Sequence, residues 1–391
     1  MTTITAVRRG GFSRHAAGRL GSNPAAPWRH LDLALVGSVA AISAIGVLMV
    51  YSATRGPGGV EPFDTSFVKR QGLYTFLGFG LMAATALFDY RRFRDFAPLI
   101  YGGACALLVL VVSPLGSERK GTQAWFQLGP FQFQPSELTK IALIIGLAAL
   151  AAQLRDELDG RRLAAILAVA AVPLGLIMLQ PDLGTALVMV AVTAGILLVA
   201  GAQPKHLVAI VAVGVIGCAV VLNSDMLADY QRDRLTTFLN QGDATASQGE
   251  AYNLEQSIIA IGAGGPLGKG WGQGTQTRLN NVPEQHTDFI FTAVGEELGF
   301  AGAGTLLALF AIVAWRVWRT AQLARDDFGS LLCVGVLCML LFQVFENVGM
   351  TMGIMPITGI PLPFVSYGGS STLAAFVALG LVLNVHSRRF S

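Results

Sequence analysis

Residues 280–317 read NNVPEQHTDFIFTAVGEELGFAGAGTLLALFAIVAWRV, and from Phe289 to Val317 the only charges are Glu296, Glu297 and Arg316. About 20 such residues suffice for a helix to cross the roughly 30 Å hydrocarbon layer, so this run reads as a membrane span. The same signature recurs on both sides of it. Spans are expected at Leu33–Ser52, Leu73–Phe88, Phe96–Pro114, Leu138–Gln153, Leu163–Leu179, Thr185–Gly201, His206–Leu222, Phe289–Val317, Leu331–Met352 and Thr372–Val385. Of the 391 residues 53% are hydrophobic and 13% charged, about half the charged share of a soluble domain. The expectation is an all-α polytopic membrane protein with ten transmembrane helices and long extracytoplasmic loops. No nucleic-acid partner is expected.

Ten spans put both termini on one side. The segments sharing that side hold 17 of the 27 Lys and Arg residues, so the positive-inside rule makes it the cytoplasm and puts the long 223–287 loop outside. Residues 1–31 read as an Arg-rich cytoplasmic tail without the apolar core of a signal peptide, and 32–391 as one membrane domain. Cys105, Cys218, Cys333 and Cys338 all fall in spans, which argues against disulfides and metal knuckles.

Three outer segments are longer than a helix bundle needs. Leu115–Gln134 alternates polar residues with Trp125, Phe126, Phe131 and Phe133, as expected of a segment lying at headgroup level. Its Arg119, Lys120, Gln123 and Gln127 are candidates for binding. At the head of the next span Glu137 and Lys140 stand three apart and are expected to pair. In the second segment, SDMLADYQRDRLTTFLNQ (224–241) has the spacing of an interfacial amphipathic helix, while QSIIAIGAGGPLGKGWGQGTQ (256–276) is read as too glycine-rich for a regular helix. Its glycine N–H groups, with Lys269, form a weak candidate anion nest. The third, GIMPITGIPLPFVSYGGSS (353–371), has Pro356, Pro361 and Pro363 among apolar residues and reads as a broken, re-entrant segment.

Asp288 stands where the apolar run begins. Two readings compete: a helix cap, favoured by the helix dipole, or a reactive carboxylate. Thr292, Gly295 and Gly299 fall beneath it on one helical face, which suits close helix packing or the wall of a cavity. Packing leaves Asp288, Glu296 and Glu297 unexplained, and intramembrane carboxylates read as functional by default. Gln343, Glu346 and Asn347 form a second polar cluster, expected with Lys140 to line the same cavity. His286 is taken as polar surface.

Five stretches in order, QAWFQLGPFQFQPSELTK, QPDLGTALV, QSIIAIGAGGPLGKGWGQGTQ, PEQHTDFIFTAVGEELG and GIPLPFVSYGGSS, resemble the SEDS proteins of shape, elongation, division and sporulation. The resemblance runs from the first span to the last, and NVGMTMGIMPITGIPLPF looks closer to the elongation branch, RodA, than to the division branch, FtsW. It implies the ten-span SEDS fold and a peptidoglycan glycosyltransferase of the bacterial cytoplasmic membrane. Such an enzyme polymerises lipid II on the outer face, beside a class B penicillin-binding protein and other elongation-complex membrane proteins. The family's key carboxylate falls on Asp288 and its important Trp on Trp125. Many members carry Arg before that Trp, whereas this chain has Ala124.

Chain extension needs a base near the attacking hydroxyl, expected to be Asp288. It also needs cations for the departing diphosphate, for which Lys140, Lys269, Arg119 and Lys120 are candidates, with Mg2+ or Mn2+ as a further source of positive charge. Gln123, Glu137, Glu296 and Glu346 complete the expected substrate-binding set. The rivals are a lipid II flippase and a membrane scaffold. A flippase needs polar residues along the whole path, whereas the carboxylates here gather in the outer half.

Overall fold

The computed structural model describes residues 31–55, 65–119, 122–129, 131–154, 159–206, 208, 212, 250–279 and 281–389. The tail up to residue 30, most of the span expected at 206–222 and all of the amphipathic stretch at 224–241 lie outside the described residues. The chain runs α1 Leu33–Ala53, α2 Ser66–Leu87, α3 Tyr90–Asp95, α4 Ala97–Val112, β1 Ser117–Arg119, β2 Thr122–Leu128, β3 Phe131–Phe133 and α5 Pro135–Gln153. It continues through α6 Gly160–Met178, α7 Leu183–Val199, α8 Glu250–Gly264, α9 Thr275–Arg278, α10 Ile290–Gln322, α11 Asp327–Thr351 and α12 Gly369–Arg388. Nine of the ten expected spans fall on described helices, and six of these, α1, α5, α6, α10, α11 and α12, are long and apolar enough to cross a membrane.

The hub is α5. Its IALIIGLAALAA run is rich in alanine, which lets α4, α6, α7, α11 and α12 all approach it. It is therefore buried along most of its length, whereas α6 is exposed along most of its own. An exposed apolar helix at the rim of a bundle is what lipid solvates without cost. On the far side α1, α8 and α11 enclose α10, and α2 lies along α12.

Two readings are corrected. The 115–134 segment folds as a small antiparallel sheet in the order β1-β2-β3, with Ser117 opposite Trp125 and Phe126 opposite Phe133. Its alternating polar and aromatic residues are strand periodicity. And 256–264 is regular helix, the second half of α8. The glycines there are spent on proximity, since a side chain on Gly264 would collide with the carbonyl of Gly295 in α10. The Thr292, Gly295 and Gly299 stripe is thus a helix-packing face, with Ile261 against Gly295 and Ser257 against Thr292.

The 33 residues of α10 are not one straight helix: Gly299 sits at φ 65° and breaks it. The break removes the bonds that Phe300 N and Ala301 N would donate to the carbonyls of Glu296 and Glu297. The glycine loop after α8 supplies every missing partner. Phe300 N donates to Gly265 O and Ala301 N to Pro266 O, both at 2.9 Å, while Lys269 N donates to Glu296 O and Gly270 N to Glu297 O, both at 3.0 Å. The loop is spliced into the helix, and so irregular backbone remains satisfied.

Candidate active site

The end of the bundle opposite Asp32 and His386 holds three polar clusters, separated by the elements that carry them. The first lies at the head of α5. Lys140 Nζ meets Glu137 Oε1 at 2.9 Å with both side chains almost fully buried, as the three-residue spacing predicts. Together with Gln343, Met339, Pro361, Pro363 and Ser371 they line a small cavity. A buried pair of this kind neutralises its own charge, so Lys140 is not an uncompensated cation.

The second cluster is the splice. Glu296 is fully buried and gathers four donors: Lys269 Nζ at 2.8 Å, Gln276 N and Thr277 N at 2.9 Å, and Thr277 Oγ1 at 2.8 Å. Glu297, equally buried, accepts from Ser52 Oγ of α1 at 2.7 Å and from Gly272 N at 3.0 Å. These contacts make the two carboxylates the anchors of the 265–277 loop. Of the glycine N–H groups expected to form an anion nest, Gly268 donates to Gly264 O, Gly270 to Glu297 O and Gly272 to the Glu297 carboxylate. Lys269 and Glu296 come together as an ion pair, away from the cavity of Glu137 and Lys140.

The third cluster contains Asp288, half-buried in the turn before α10. The cap position of α10 is Phe289, which makes no side-chain capping bond, so Asp288 stands one residue ahead of the cap. Its backbone is held instead: Asp288 N donates to Glu284 O at 3.2 Å, and Asn347 Nδ2 donates to Asp288 O at 2.8 Å. The turn that leads into it, Val282, Pro283, Glu284, Gln285 and His286, lines a cleft of about 250 Å³ with Ala53, Thr54 and Phe67; Asp288 itself is not part of the lining. His286 is not polar surface. Its ring lies 5.0 Å from Phe67 and 5.7 Å from Tyr367, and its carbonyl accepts from Tyr367 N at 2.9 Å.

Asn347 and Glu346 link this turn to the proline-broken segment 353–368, which is non-helical and carries buried Ile357, Ile360, Leu362, Phe364 and Val365. Asn347 Nδ2 also donates to Ile360 O at 2.8 Å, and Thr358 Oγ1 donates to Glu346 Oε1 at 3.0 Å. Glu346 is thus close to Asp288 along the chain of contacts, whereas Glu296 belongs to the splice.

The sheet closes one side. Trp125 is half-buried in β2, and Ser117 Oγ donates to its carbonyl at 2.9 Å. Gln123 is turned back onto the end of α4, donating to Ser113 O at 2.7 Å. The sheet is tied to the bundle by Gln134 N, which donates to Ser370 Oγ at 3.0 Å, and by Phe131 against Tyr74. Arg119 lies in β1, and Lys120 falls outside the described residues. Among the described residues no cluster of three His, Cys, Asp or Glu could hold a metal ion.

Sequence reasoning missed Arg55. Its guanidinium lies 4.6 Å over the Tyr51 ring and 5.5 Å over that of Trp271, at the end of α1 beside the cleft. Only the YSATR tail of the first span hinted at it.

A family model described as "Cell cycle protein", covering FtsW, RodA and SpoVE, matches residues 33–390. The probable peptidoglycan glycosyltransferase FtsW of Geobacter sulfurreducens is 38% identical over 91% of this chain and 95% of its own length. The peptidoglycan glycosyltransferase MrdB of Escherichia coli K12 is 34% identical over 92% and 94%. Among solved structures, one titled for the coordination of polymerization and crosslinking by a peptidoglycan synthase complex aligns with a TM-score of 0.77 at 33% identity, over 93% of this chain and 99% of that one. Rod shape determining protein RodA of Thermus thermophilus aligns at 0.70 and 32% identity, over 93% and 99%. The chain therefore belongs to the FtsW, RodA and SpoVE family, the SEDS proteins, and is an integral membrane glycosyltransferase.

Proposed function

We propose that this protein polymerises lipid II into glycan strands on the outer face of the bacterial cytoplasmic membrane, with Asp288 as general base. In that reaction a sugar hydroxyl of one chain attacks the anomeric carbon of another. Asp288 takes the hydroxyl proton, the new glycosidic bond forms, and polyprenyl diphosphate leaves with the electron pair of the broken bond. The observation that carries the reading is the position of Asp288. It comes two residues after the turn that lines an open cleft, its carbonyl is bonded to Asn347, and α10 begins without it as a cap. A base must be held in place and yet reach its proton, and this arrangement meets both needs.

Trp125 and the sheet offer an amphipathic wall for the sugar, and the grooves between spans take the polyprenyl tails. Arg55, near the cleft, joins Arg119 and Lys120 as a candidate cation for the diphosphate. The side assignment rests on the charge count and on parity. Asp32 and His386 lie 3.8 Å apart, so the start of the first helix and the end of the last share one end of the bundle. That end is the cytoplasmic one. The partner is a class B penicillin-binding protein, in keeping with the complex named for the relative of known structure.

Within the family we place the chain in cell elongation, on the strength of its NVGMTMGIMPITGIPLPF stretch. The 38% identity to FtsW favours division as the second reading. Depletion in the host separates them: rounded cells support elongation, and filaments support division. The chemistry is tested by giving purified wild type and Asp288→Asn lipid II in detergent, with and without Mg2+ or Mn2+, and measuring glycan products. Polymer from wild type alone supports the reading. Equal polymer from both removes Asp288 as base, and lipid II crossing vesicles without any polymer would make the protein a flippase.

A further inference from the structure

The geometry points to Asn347 as a positioning residue that sets the place of Asp288 by clamping its backbone to the proline-broken segment. Asn347 is fully buried near the outer end of α11. Its amide nitrogen has two N–H groups, and both are committed: one to Asp288 O and one to Ile360 O, each at 2.8 Å. The two acceptors also fix the orientation of the amide, since the flipped form would set Oδ1 against two carbonyl oxygens. Among the described residues that Oδ1 has no partner. A buried acceptor left unsatisfied is a cost, and it is tolerated here on a side chain that bridges the Asp288 turn and the proline-broken segment.

The same helical turn contributes a second tie. Glu346, adjacent in sequence, accepts from Thr358 Oγ1 at 3.0 Å and so holds the proline-broken segment without touching Asp288. The two ties separate cleanly: one fixes only that segment, the other fixes that segment together with the base. Asp288 lies ahead of α10, which starts at Ile290, and the N–H groups of Thr287, Asp288 and Phe289 donate to Glu284 O, so its carbonyl is available to Asn347. A displacement of about 1 Å at a reacting group can cost about 10²-fold in rate, so a clamp at this carbonyl bears on catalysis directly.

This inference rests on Asp288 being the base, and the test keeps the two claims apart. Full-length protein is purified as wild type, Asn347→Ala, Asn347→Asp, Thr358→Val and Asp288→Asn, and lipid II polymerisation is followed across pH. Asn347→Ala, which removes both donors, is expected to lower kcat about 10²-fold with KM changed less than about threefold, and to move the acidic limb of the pH profile. Asn347→Asp sets a second oxygen against the two carbonyls and should behave likewise, which guards against a misfolded alanine variant. Thr358→Val should lower thermal stability and leave the pH profile in place. If both Asn347 variants fold and their profiles superimpose on wild type, the clamp is overturned while the base stands. If Asp288→Asn is fully active, the base itself is wrong and the clamp falls with it.

Discussion

The two ends of the bundle treat polar groups in opposite ways. At the end that holds Asp32 and His386 they finish one another. Asp32 caps α1 through Leu35 N and meets Arg316 Nε at 2.7 Å. Tyr90 Oη donates to Asp326 at 2.7 Å, while Asn384 accepts from Tyr90 N and donates to Thr85 O. Each bond closes a helix end, and together they tie α1, α2, α3, α10, α11 and α12. At the opposite end several buried polar atoms find no partner among the described residues, among them Glu346 Oε2, Asn347 Oδ1, Gln71 Oε1, Ser136 Oγ and Thr372 Oγ1. Native interiors rarely leave such atoms unsatisfied, and when they do the reason is commonly functional. The two ends thus differ in how the described side chains satisfy one another.

The largest effect should come from removing half of the buried Glu137–Lys140 pair. Lys140→Met leaves the Glu137 carboxylate buried without its cation and should destabilise the fold by about 3–5 kcal/mol. Adding Glu137→Gln should restore much of the unfolding temperature in detergent; a double variant no better than the single one would mean that the pair is not self-contained.

Next come two aspartates that both precede helices. Asp288→Asn should cut polymerisation by about 10²-fold at unchanged melting temperature. Asp326→Asn, in which the amide oxygen can still cap Gly329 N, should stay within about twofold of wild-type activity. Equal losses in both would erase the distinction between the ends.

Glu296→Gln weakens charge-assisted bonds within the splice, each worth about 1.5–3 kcal/mol. The expected readout is faster protease cleavage between residues 265 and 277, with activity down about tenfold. Unchanged cleavage would show that the backbone bonds to α10 hold the loop unaided.

The smallest effect belongs to the end that holds Asp32 and Asp326. Burial, and then the bond to Asp326, push the Tyr90 hydroxyl up to about 12. Its contribution is complete below the unfolded value of about 10 and is lost as pH rises from there through 12. Tyr90→Phe should cost about 1 kcal/mol at neutral pH and flatten the alkaline decline. A decline as steep as wild type would place its origin elsewhere.

Helix placement was legible because hydrocarbon admits few backbone solutions, and nine expected spans fall on described helices. The Glu137–Lys140 pair was legible from spacing alone. The small sheet was not, since aromatic alternation suits both a strand and an interfacial segment. Nor was the splice. Glycine counts forbid regular helix only where a turn is required, and what kept 256–264 helical was the partner surface of α10, which sequence does not display. Glu296 looked like a substrate ligand because burial of a carboxylate signals importance without saying whether the donors come from substrate or chain. Arg55 passed unnoticed because its platform joins Tyr51 to Trp271, far away in sequence.

The break at Gly299 also bears on how the bilayer acts on this protein. Unbroken, the 33 residues of α10 would reach about 50 Å, well beyond a hydrocarbon layer of roughly 30 Å. Past the glycine, residues 300–322 measure roughly 35 Å and fit that layer with slight tilt. The turns before it are bolted to α8, α1 and the glycine loop. The glycine loop holds both sides of the joint, through Phe300 N and Ala301 N below it and the Glu296 and Glu297 carbonyls above it. A tilt imposed on the lower shaft by the thickness of the lipid would therefore reach the upper turns through that loop.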